Sequence, residues 1–220
     1  MSRFLIRPVA IACLAFGAVQ AQAAITVTDL GSFNGGVAST YTLTAGNAPT
    51  SGNTTAGGFR TSLDGGMTSF ETYCVDLYQF LGNSSDYTLV SGAAHYAAPH
   101  ANRNADIGKL YSFHNLVTDA TSEAAFQLAV WEISYETSGS YSLSTGTAKF
   151  SSSAAANALA SSWLANLPAV SSFKVSVLES ASKQDLVFAA PAVPEPSTYA
   201  LMAAGLLGVG FVARRRSPKR

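Results

Sequence analysis

The residue best suited to chemistry in this sequence is Cys74. The chain has 220 residues and two cysteines, and the other, Cys13, lies in an apolar stretch near the N-terminus. Both ends of the chain indicate export, as argued below, and a lone cysteine in an exported protein has no internal disulfide partner. Cys74 is therefore expected to be a buried small side chain, a link to another chain, or a reactive thiol.

Two short segments together point to a specific reaction. Cys74 lies in Thr72-Tyr73-Cys74-Val75-Asp76-Leu77, and a downstream segment reads Ala125-Phe126-Gln127-Leu128-Ala129-Val130-Trp131. Over residues 67–137 they resemble the two motifs of bacterial surface thioester domains, an aromatic-Cys-aliphatic motif and a Gln-x-Ala-aliphatic-Trp motif. The threonine that often precedes the glutamine in that family is absent. The resemblance implies that Cys74 and Gln127 form an internal thioester with loss of ammonia.

This chemistry places clear demands on the surroundings of the two residues. A carboxamide is inert, whereas its thioester is an activated acyl group that amines and hydroxyls attack. Forming the bond requires a thiolate and a polarised carbonyl, and keeping it requires exclusion of water. We expect an apolar wall built from Tyr73, Phe126 and Trp131. Glu123 and Asp76 are nearby candidates for proton transfer. Such a one-time acylation has no turnover, so no enzyme activity and no cofactor are expected.

Two other interpretations remain open. Cys74 and Gln127 could simply pack together in a structural protein of a biofilm or extracellular matrix, or Cys74 could pair with a histidine in a secreted cysteine hydrolase. His95, His100 and His114 lack the spacing of helical zinc ligands, and no metal site is expected. The sequence also lacks a phosphate-binding glycine loop and a Gly-x-Ser-x-Gly elbow.

Charge is segregated along the chain. The formal net charge is zero, with 13 basic and 13 acidic residues, but seven of the basic residues lie in the terminal segments. Between Ala24 and Val193 there are six Lys/Arg and 12 Asp/Glu. An acidic domain without basic clusters is poorly suited to phosphate backbones, so nucleic-acid binding is excluded.

The N-terminus has the features of a secretory signal peptide. Arg3 and Arg7 precede an apolar stretch from Val9 to Val19, which is too short to span a bilayer. Ala21 and Ala23 then provide the small-x-small pattern that signal peptidase accepts. We expect residues 1–23 to form the signal helix and cleavage to follow Ala23.

The C-terminus has three parts in a fixed order. Pro194, Glu195 and Pro196 are followed by an apolar run from Tyr199 to Ala213 and then by Arg214-Arg215-Arg216. Fifteen helical residues span about 22 Å, so the run can insert with some bilayer thinning. The arginines place that end in the cytoplasm and the preceding residues outside.

This arrangement resembles the PEP-CTERM sorting signal of Gram-negative bacteria. The resemblance implies recognition by an exosortase, a membrane cysteine protease thought to cut near the Pro-Glu-Pro. It predicts export across the inner membrane, transient anchoring by a C-terminal transmembrane helix, and a final location at the cell surface or outside the cell. The expected processing partners are signal peptidase and exosortase. A nucleophile on an exopolysaccharide or surface protein would be the target of the thioester.

The elements that must position Cys74 and Gln127 follow from hydrophobic periodicity. Alternation predicts strands over Ile25–Leu30, Thr40–Thr44, Met67–Leu81 and Tyr87–Val90, and a hairpin from Phe173 to Phe188. Helical spacing predicts helices around Ile107–His114, from a cap at Asp119 to Tyr135, and over Ser153–Leu167. Cys74 is thus expected on a strand and Gln127 on a helix.

The order of these elements predicts an α+β fold with a sandwich-like sheet and a small helical part. We expect three segments: the signal peptide at 1–23, a thioester-like domain at 24–193, and the sorting signal at 194–220. The lead hypothesis is an exported surface or matrix protein that attaches covalently to its target.

Overall fold

The computed structural model describes residues 24–45, 48–97, 102–137 and 140–192. The predicted signal helix and the transmembrane run lie outside these ranges, as do Ala21, Ala23, Pro194, Glu195 and Pro196. Among the helices within these ranges, none is long and apolar enough to cross a membrane.

The described ranges contain nine strands and four α-helices. The strands are β1 (Ile25–Ser32), β2 (Val37–Ala45), β3 (Ala48–Ala56), β4 (Phe59–Leu63), β5 (Ser69–Cys74), β6 (Ser84–Ser91), β7 (Ala148–Ser151), β8 (Phe173–Glu179) and β9 (Leu186–Pro191). The helices are α1 (Gly92–His95), α2 (Asn102–Leu110), α3 (Ala120–Tyr135) and α4 (Ala154–Ala165), and a 3₁₀ helix spans Tyr111–Leu116.

Six strands form a closed antiparallel barrel in the order β1-β4-β5-β9-β8-β6, and the other three form a separate sheet in the order β3-β2-β7. The strands and helices that the sequence predicts are present, but the β part is a barrel with an added sheet and not a sandwich. Closure comes from β1, which pairs with β4 along one edge and with β6 along the other. Closure gives each of these six strands a partner on both sides, although Cys74 at the end of β5 extends beyond its β4 partner.

Helix α3 is the central element of the fold. A reciprocal capping box starts it: the Asp119 carboxylate accepts the Ser122 N–H at 2.8 Å, and the Ser122 hydroxyl accepts the Asp119 N–H at 3.0 Å. From Ser122 to Ser134 every residue of the helix is buried, because β5, the β3-β2-β7 sheet, α2 and α4 all contact it. Polar side chains on this helix must therefore find partners inside the protein.

Strand β5 ends at Cys74, earlier than the predicted strand over Met67–Leu81. The Val75 N–H still bonds to the Asp185 carbonyl at 2.9 Å. The Asp76 carboxylate then accepts the Tyr78 N–H at 2.8 Å, a local turn that diverts the chain from the sheet. Cys74 therefore lies at the point where strand becomes loop.

Candidate functional site

The site is built on a reciprocal contact between β5 and α3. The Cys74 N–H donates to Gln127 Oε1 at 2.9 Å, and Gln127 Nε2 donates to the Cys74 carbonyl at 2.8 Å. Both residues are almost completely buried. The structure thus brings together two residues that are 53 positions apart in the chain.

The register of the barrel explains why this position accepts a glutamine side chain. Thr72 pairs with Phe59, the first residue of β4, so β4 offers no partner opposite Cys74. The N–H and carbonyl of Cys74 point to that unoccupied side, because those of Val75 and Tyr73 face β9. The Gln127 carboxamide fills the gap with one donor and one acceptor, as a further strand residue would.

The Cys74 thiol is not directed at the amide nitrogen. It donates to the Asp76 carbonyl at 2.8 Å. Burial raises the pKa of this thiol to about 12, although the Trp131 indole and the Asp76 carbonyl act in the opposite direction. The charges of Asp76 and Asp185 raise it further. The sulfur is therefore a protonated thiol at neutral pH, and the thiolate expected from the sequence is not its resting form.

Trp131 is the aromatic residue that accompanies the sulfur. Its side chain is buried, it interacts with the thiol, and its ring stacks on Phe150 with centroids 5.8 Å apart. The indole Nε1 makes no conventional hydrogen bond to any described residue. The expected position of Trp131, one turn beyond Gln127 and close to the reacting groups, agrees with this arrangement.

Tyr73 and Phe126 belong to a neighbouring cluster and do not share the thiol's side of the strand. Their rings pack at 4.6 Å, and both also contact the rings of Tyr111 and His114. Successive side chains of a strand point to opposite faces, so the Tyr73 ring lies on the face of β5 opposite Cys74. The expected three-residue wall is thus divided, with Trp131 on one side and this cluster on the other.

A buried carboxyl pair lies one helical turn before Gln127. The Tyr73 hydroxyl contacts Glu71 and also Glu123 Oε2, the latter at 2.9 Å. Glu123 further accepts from Asn34 Nδ2 at 2.8 Å and from the Gly58 N–H at 3.2 Å. A Cβ atom at position 58 would lie 2.6 Å from Glu123 Oε2, so a larger residue there would displace this carboxyl group.

The two carboxyl groups differ in protonation. Burial and the neighbouring Glu71 raise the pKa of Glu123 to about 7. Burial would also raise the pKa of Glu71, but hydrogen bonds from His114, Glu123 and Tyr73 bring it below its usual value. A tyrosine hydroxyl has one proton and cannot donate to two carboxylates at once. Glu123 is therefore the member of the pair that holds the extra proton.

The histidines are placed away from the sulfur. His114 Nε2 lies 3.1 Å from Glu71 Oε2, and His95 Nδ1 lies 2.7 Å from Glu179 Oε1. Neither hydrogen-bonds to the Cys74 thiol, and His100 lies outside the described residues. Within the ranges that the structure covers, no three His, Cys, Asp or Glu side chains are arranged to hold a metal ion.

Sequence reasoning named Glu123 but missed its partners Glu71 and Asn34. Glu71 lies two residues before Tyr73 and so shares its face of β5, a spacing that was available in the sequence. Asn34 lies 89 positions from Glu123, and no local pattern indicates that contact. Asp76 takes part through its backbone carbonyl, while its carboxylate serves the turn after β5.

Comparison with known proteins identifies one feature. Residues 192–216 match the PEP-CTERM protein-sorting motif. This motif indicates an exported precursor that is anchored in the membrane and sorted to the cell surface, with an exosortase as its processing partner. No curated protein and no solved structure shows significant similarity to the chain.

Proposed function

We propose that this exported protein forms an internal thioester between Cys74 and Gln127 and uses it for covalent attachment to a nucleophile at the surface of a Gram-negative cell or in its matrix. The observation that carries the proposal is the reciprocal contact between the Gln127 carboxamide and the Cys74 backbone, at 2.9 and 2.8 Å. The resemblance of the segments around Cys74 and Gln127 to the two motifs of thioester domains is a second reason for the proposal.

The contact between Gln127 and Cys74 provides a hydrogen-bond donor for the first step, the attack of the sulfur on the amide carbon. Gln127 Oε1 already accepts the Cys74 N–H, so negative charge that develops on this oxygen during attack is stabilised by a donor already in place. The same hydrogen bond polarises the amide carbonyl. Cys74 thus provides both the attacking sulfur and the oxyanion donor.

The reaction balances without an external reagent. The thiol turns from the Asp76 carbonyl, and its sulfur adds to the Gln127 Cδ while its proton passes to Nε2. The C–N bond breaks, ammonia leaves, and the S–Cδ bond remains as the thioester. An amine or hydroxyl on an exopolysaccharide or surface protein later adds to Cδ, transfers its proton to the departing sulfur, and leaves an amide or ester with a free Cys74 thiol. The acyl group is used once, so the protein is not an enzyme in this proposal.

The environment favours survival of such a bond. Cys74, Gln127 and Trp131 are each no more than 2% exposed, so water has little access to the carbonyl carbon. One effect acts against the thioester. Loss of the amide nitrogen leaves the Cys74 carbonyl without its hydrogen-bond donor, which costs about 1–3 kcal/mol in the free energy of unfolding.

A second function is favoured by a different observation. The Gln127 carboxamide also pairs with the backbone of Cys74 where β5 has no neighbouring strand. The Cys74 thiol already has an acceptor in the Asp76 carbonyl. These contacts suit a structural matrix protein in which Cys74 and Gln127 remain unreacted.

Alkylation under denaturing conditions separates the two functions. The protein is unfolded at neutral pH in the presence of an alkylating reagent, which overcomes the burial of Cys74. A thioester predicts that the wild-type sulfur stays unmodified until the bond is cleaved, whereas Gln127→Ala alkylates at once. Immediate and complete alkylation of wild type would instead support the structural function.

A further inference from the structure

We infer that the open edge of β3 binds the same strand of a second copy of this chain, so that two β3-β2-β7 sheets join into one antiparallel sheet about a two-fold axis. The pairing uses neither Cys74 nor Gln127. It therefore goes beyond the proposed function and does not depend on it.

The two edges of the β3-β2-β7 sheet differ in what lies beside them. At the β7 edge the Phe150 N–H donates to the Leu143 carbonyl at 2.9 Å, so a neighbouring segment covers that side. Strand β3 has nine residues and pairs with β2. In the part of the chain that the structure describes, no strand lies on its other side. Such an uncovered strand edge is a template for pairing with another chain.

The register shows which backbone groups this edge presents. The Thr44 N–H donates to the Thr147 carbonyl at 2.8 Å, so the backbone groups of Thr44 point to β7. Backbone direction alternates along a strand, so the groups of Leu43 point to β3, where its partner is Thr50. The same alternation continues along β3. The N–H and carbonyl groups that point away from β2 are therefore those of Ser51, Asn53 and Thr55.

These three residues of β3 are exposed, and their outward backbone groups are available. Among the described residues, no hydrogen bond engages the backbone of Ser51, Asn53 or Thr55 on this side. The strand is also regular, because its nine pairs with β2 follow one another without a bulge. The Tyr41 ring covers Gly52, where a Cβ atom would lie 2.7 Å from Tyr41 Oη. The edge is thus held in an extended form that a second strand can pair with.

Charge favours a second copy as the partner. From Leu30 to Phe59 the sequence contains no charged residue, whereas residues 24–193 include six Lys/Arg and 12 Asp/Glu. Two copies therefore repel each other over most of their surfaces and meet the least repulsion at this hairpin. Between Thr50 and Ala56 the edge also has no lysine, proline or bulge, the features with which exposed strands discourage such pairing.

The outward residues of β3 are complementary to themselves. Antiparallel pairing about a two-fold axis at Asn53 places this residue opposite its own copy, and Ser51 of each chain opposite Thr55 of the partner subunit. Each pair then exchanges two backbone hydrogen bonds. The Asn53 amides and the facing hydroxyl groups also pair across the strands. Because both β3 edges are then occupied and the β7 edges are covered, the assembly ends at a dimer.

Disulfide cross-linking in membranes of the expressing cells tests this register. Full-length protein with Cys13→Ala and Cys74→Ala receives one new cysteine on β3. Asn53→Cys should form a disulfide dimer under mild oxidation, because its two Cα atoms lie about 5.5 Å apart in the pair. Thr55→Cys alone should not, because its two copies lie about 13 Å apart along the strands. Thr55→Cys expressed together with Ser51→Cys should cross-link.

Sedimentation equilibrium of the full-length Cys74→Ala protein in density-matched detergent measures the strength of pairing. Asn53→Pro removes an outward N–H and no hydrogen bond to β2, so the fold should be retained while the dimer dissociation constant rises at least about tenfold. Asn53→Ala is the matched control, since it keeps every backbone group and should change the constant less than about threefold. Asn53→Lys should also prevent dimers, and mixing it with Asn53→Glu should restore them.

Three outcomes would overturn the pairing. A protein that stays monomeric in both membranes and detergent would assign the edge to a different partner. A dimer that Asn53→Pro does not weaken would place the interface elsewhere. Cross-linking of Thr55→Cys alone as readily as of Asn53→Cys would contradict the register. All these proteins lack Cys74 and cannot form a thioester, so the result is distinguishable from failure of the proposed function.

Discussion

Helix α3 makes two buried polar contacts with β5, one helical turn apart, and the two differ in charge. At Gln127 a neutral carboxamide exchanges two hydrogen bonds with the Cys74 backbone. At Glu123 an ionisable carboxyl group bonds to Tyr73 and lies beside a second carboxyl group, Glu71. The helix and strand are the same, so the difference lies in the side chains alone.

Because of this difference, the Glu123 contact depends on pH and the Gln127 contact does not. An amide keeps its donor and acceptor at any physiological pH, so the geometry around Cys74 is fixed. The carboxyl pair shares a proton, and its stability changes as Glu123 titrates. The proposed reaction takes place at the neutral contact of Gln127, where the reacting groups keep their positions as pH changes. The stability of the fold changes with pH at the neighbouring contact of Glu123.

The largest effect is expected when the neutral contact is made ionisable. Gln127→Glu places an oxygen without a proton against the Cys74 carbonyl in a buried site. We expect a loss of about 3 kcal/mol or more in the free energy of unfolding at pH 8. The loss should shrink near pH 5, where a protonated carboxyl group can donate to that carbonyl.

Chemical denaturation measures this loss, with Cys74→Ala in every protein so that a thioester does not enter the comparison. Gln184→Glu is the matched control, since that side chain makes no hydrogen bond to the described residues. A loss below about 1 kcal/mol for Gln127→Glu at pH 8 would contradict the account of this contact.

A smaller effect is expected when the charged contact is made neutral. The pKa of Glu123 is raised from its ordinary 4.5 to about 7, so the folded state holds a proton that the unfolded state releases between these values. The stabilisation that protonated Glu123 gives the folded state is therefore lost as pH rises from about 5 to 8. Glu123→Gln should remove this loss and raise stability at pH 8 by on the order of 2 kcal/mol relative to wild type.

Denaturation at several pH values tests the sign and the range. Burial also raises the pKa of Glu132 to about 7, and Glu132→Gln provides a comparison on the same helix away from the carboxyl pair. Each substitution should reduce the change in the free energy of unfolding between pH 5 and pH 8. An unchanged pH profile for Glu123→Gln would show that Glu123 and Glu71 do not share a proton in the folded protein.

The smallest effect is expected from the hydroxyl that joins the two carboxyl groups. Tyr73→Phe keeps the ring packing on Phe126 but removes the hydrogen bonds to Glu71 and Glu123. We expect a loss of about 1–2 kcal/mol, measured by denaturation at pH 6. Tyr78→Phe is the control, because Tyr78 is 57% exposed. Equal effects of the two substitutions would contradict the role assigned to the Tyr73 hydroxyl.

Elements with strong local signals were predictable from the sequence. Helix α3 is capped by Asp119 and ends at Tyr135, as predicted, because both the cap and the periodicity are local. The predicted helix over Ser153–Leu167 is observed as α4, two residues shorter at its C-terminal end. The hairpin of β8 and β9 is also observed.

Features that depend on long-range pairing were not predictable in this way. Barrel closure requires β1 to pair with both β4 and β6, and alternation within β1 does not specify its partners. The end of β5 at Cys74 depends on a turn made by Asp76, so the apolar residues that follow extended the predicted strand too far. The contact of Asn34 with Glu123 likewise arises only in the folded chain.

Intact-mass measurement shows whether the Cys74–Gln127 thioester is present. Protein purified at neutral pH without amine buffers is compared with Cys74→Ala, and both are then treated with methylamine. We expect wild type to be lighter than its sequence requires by one ammonia and to gain one methylamine, whereas Cys74→Ala should have its full mass and should not react. A wild-type mass that retains the ammonia, with no gain from methylamine, would contradict the thioester.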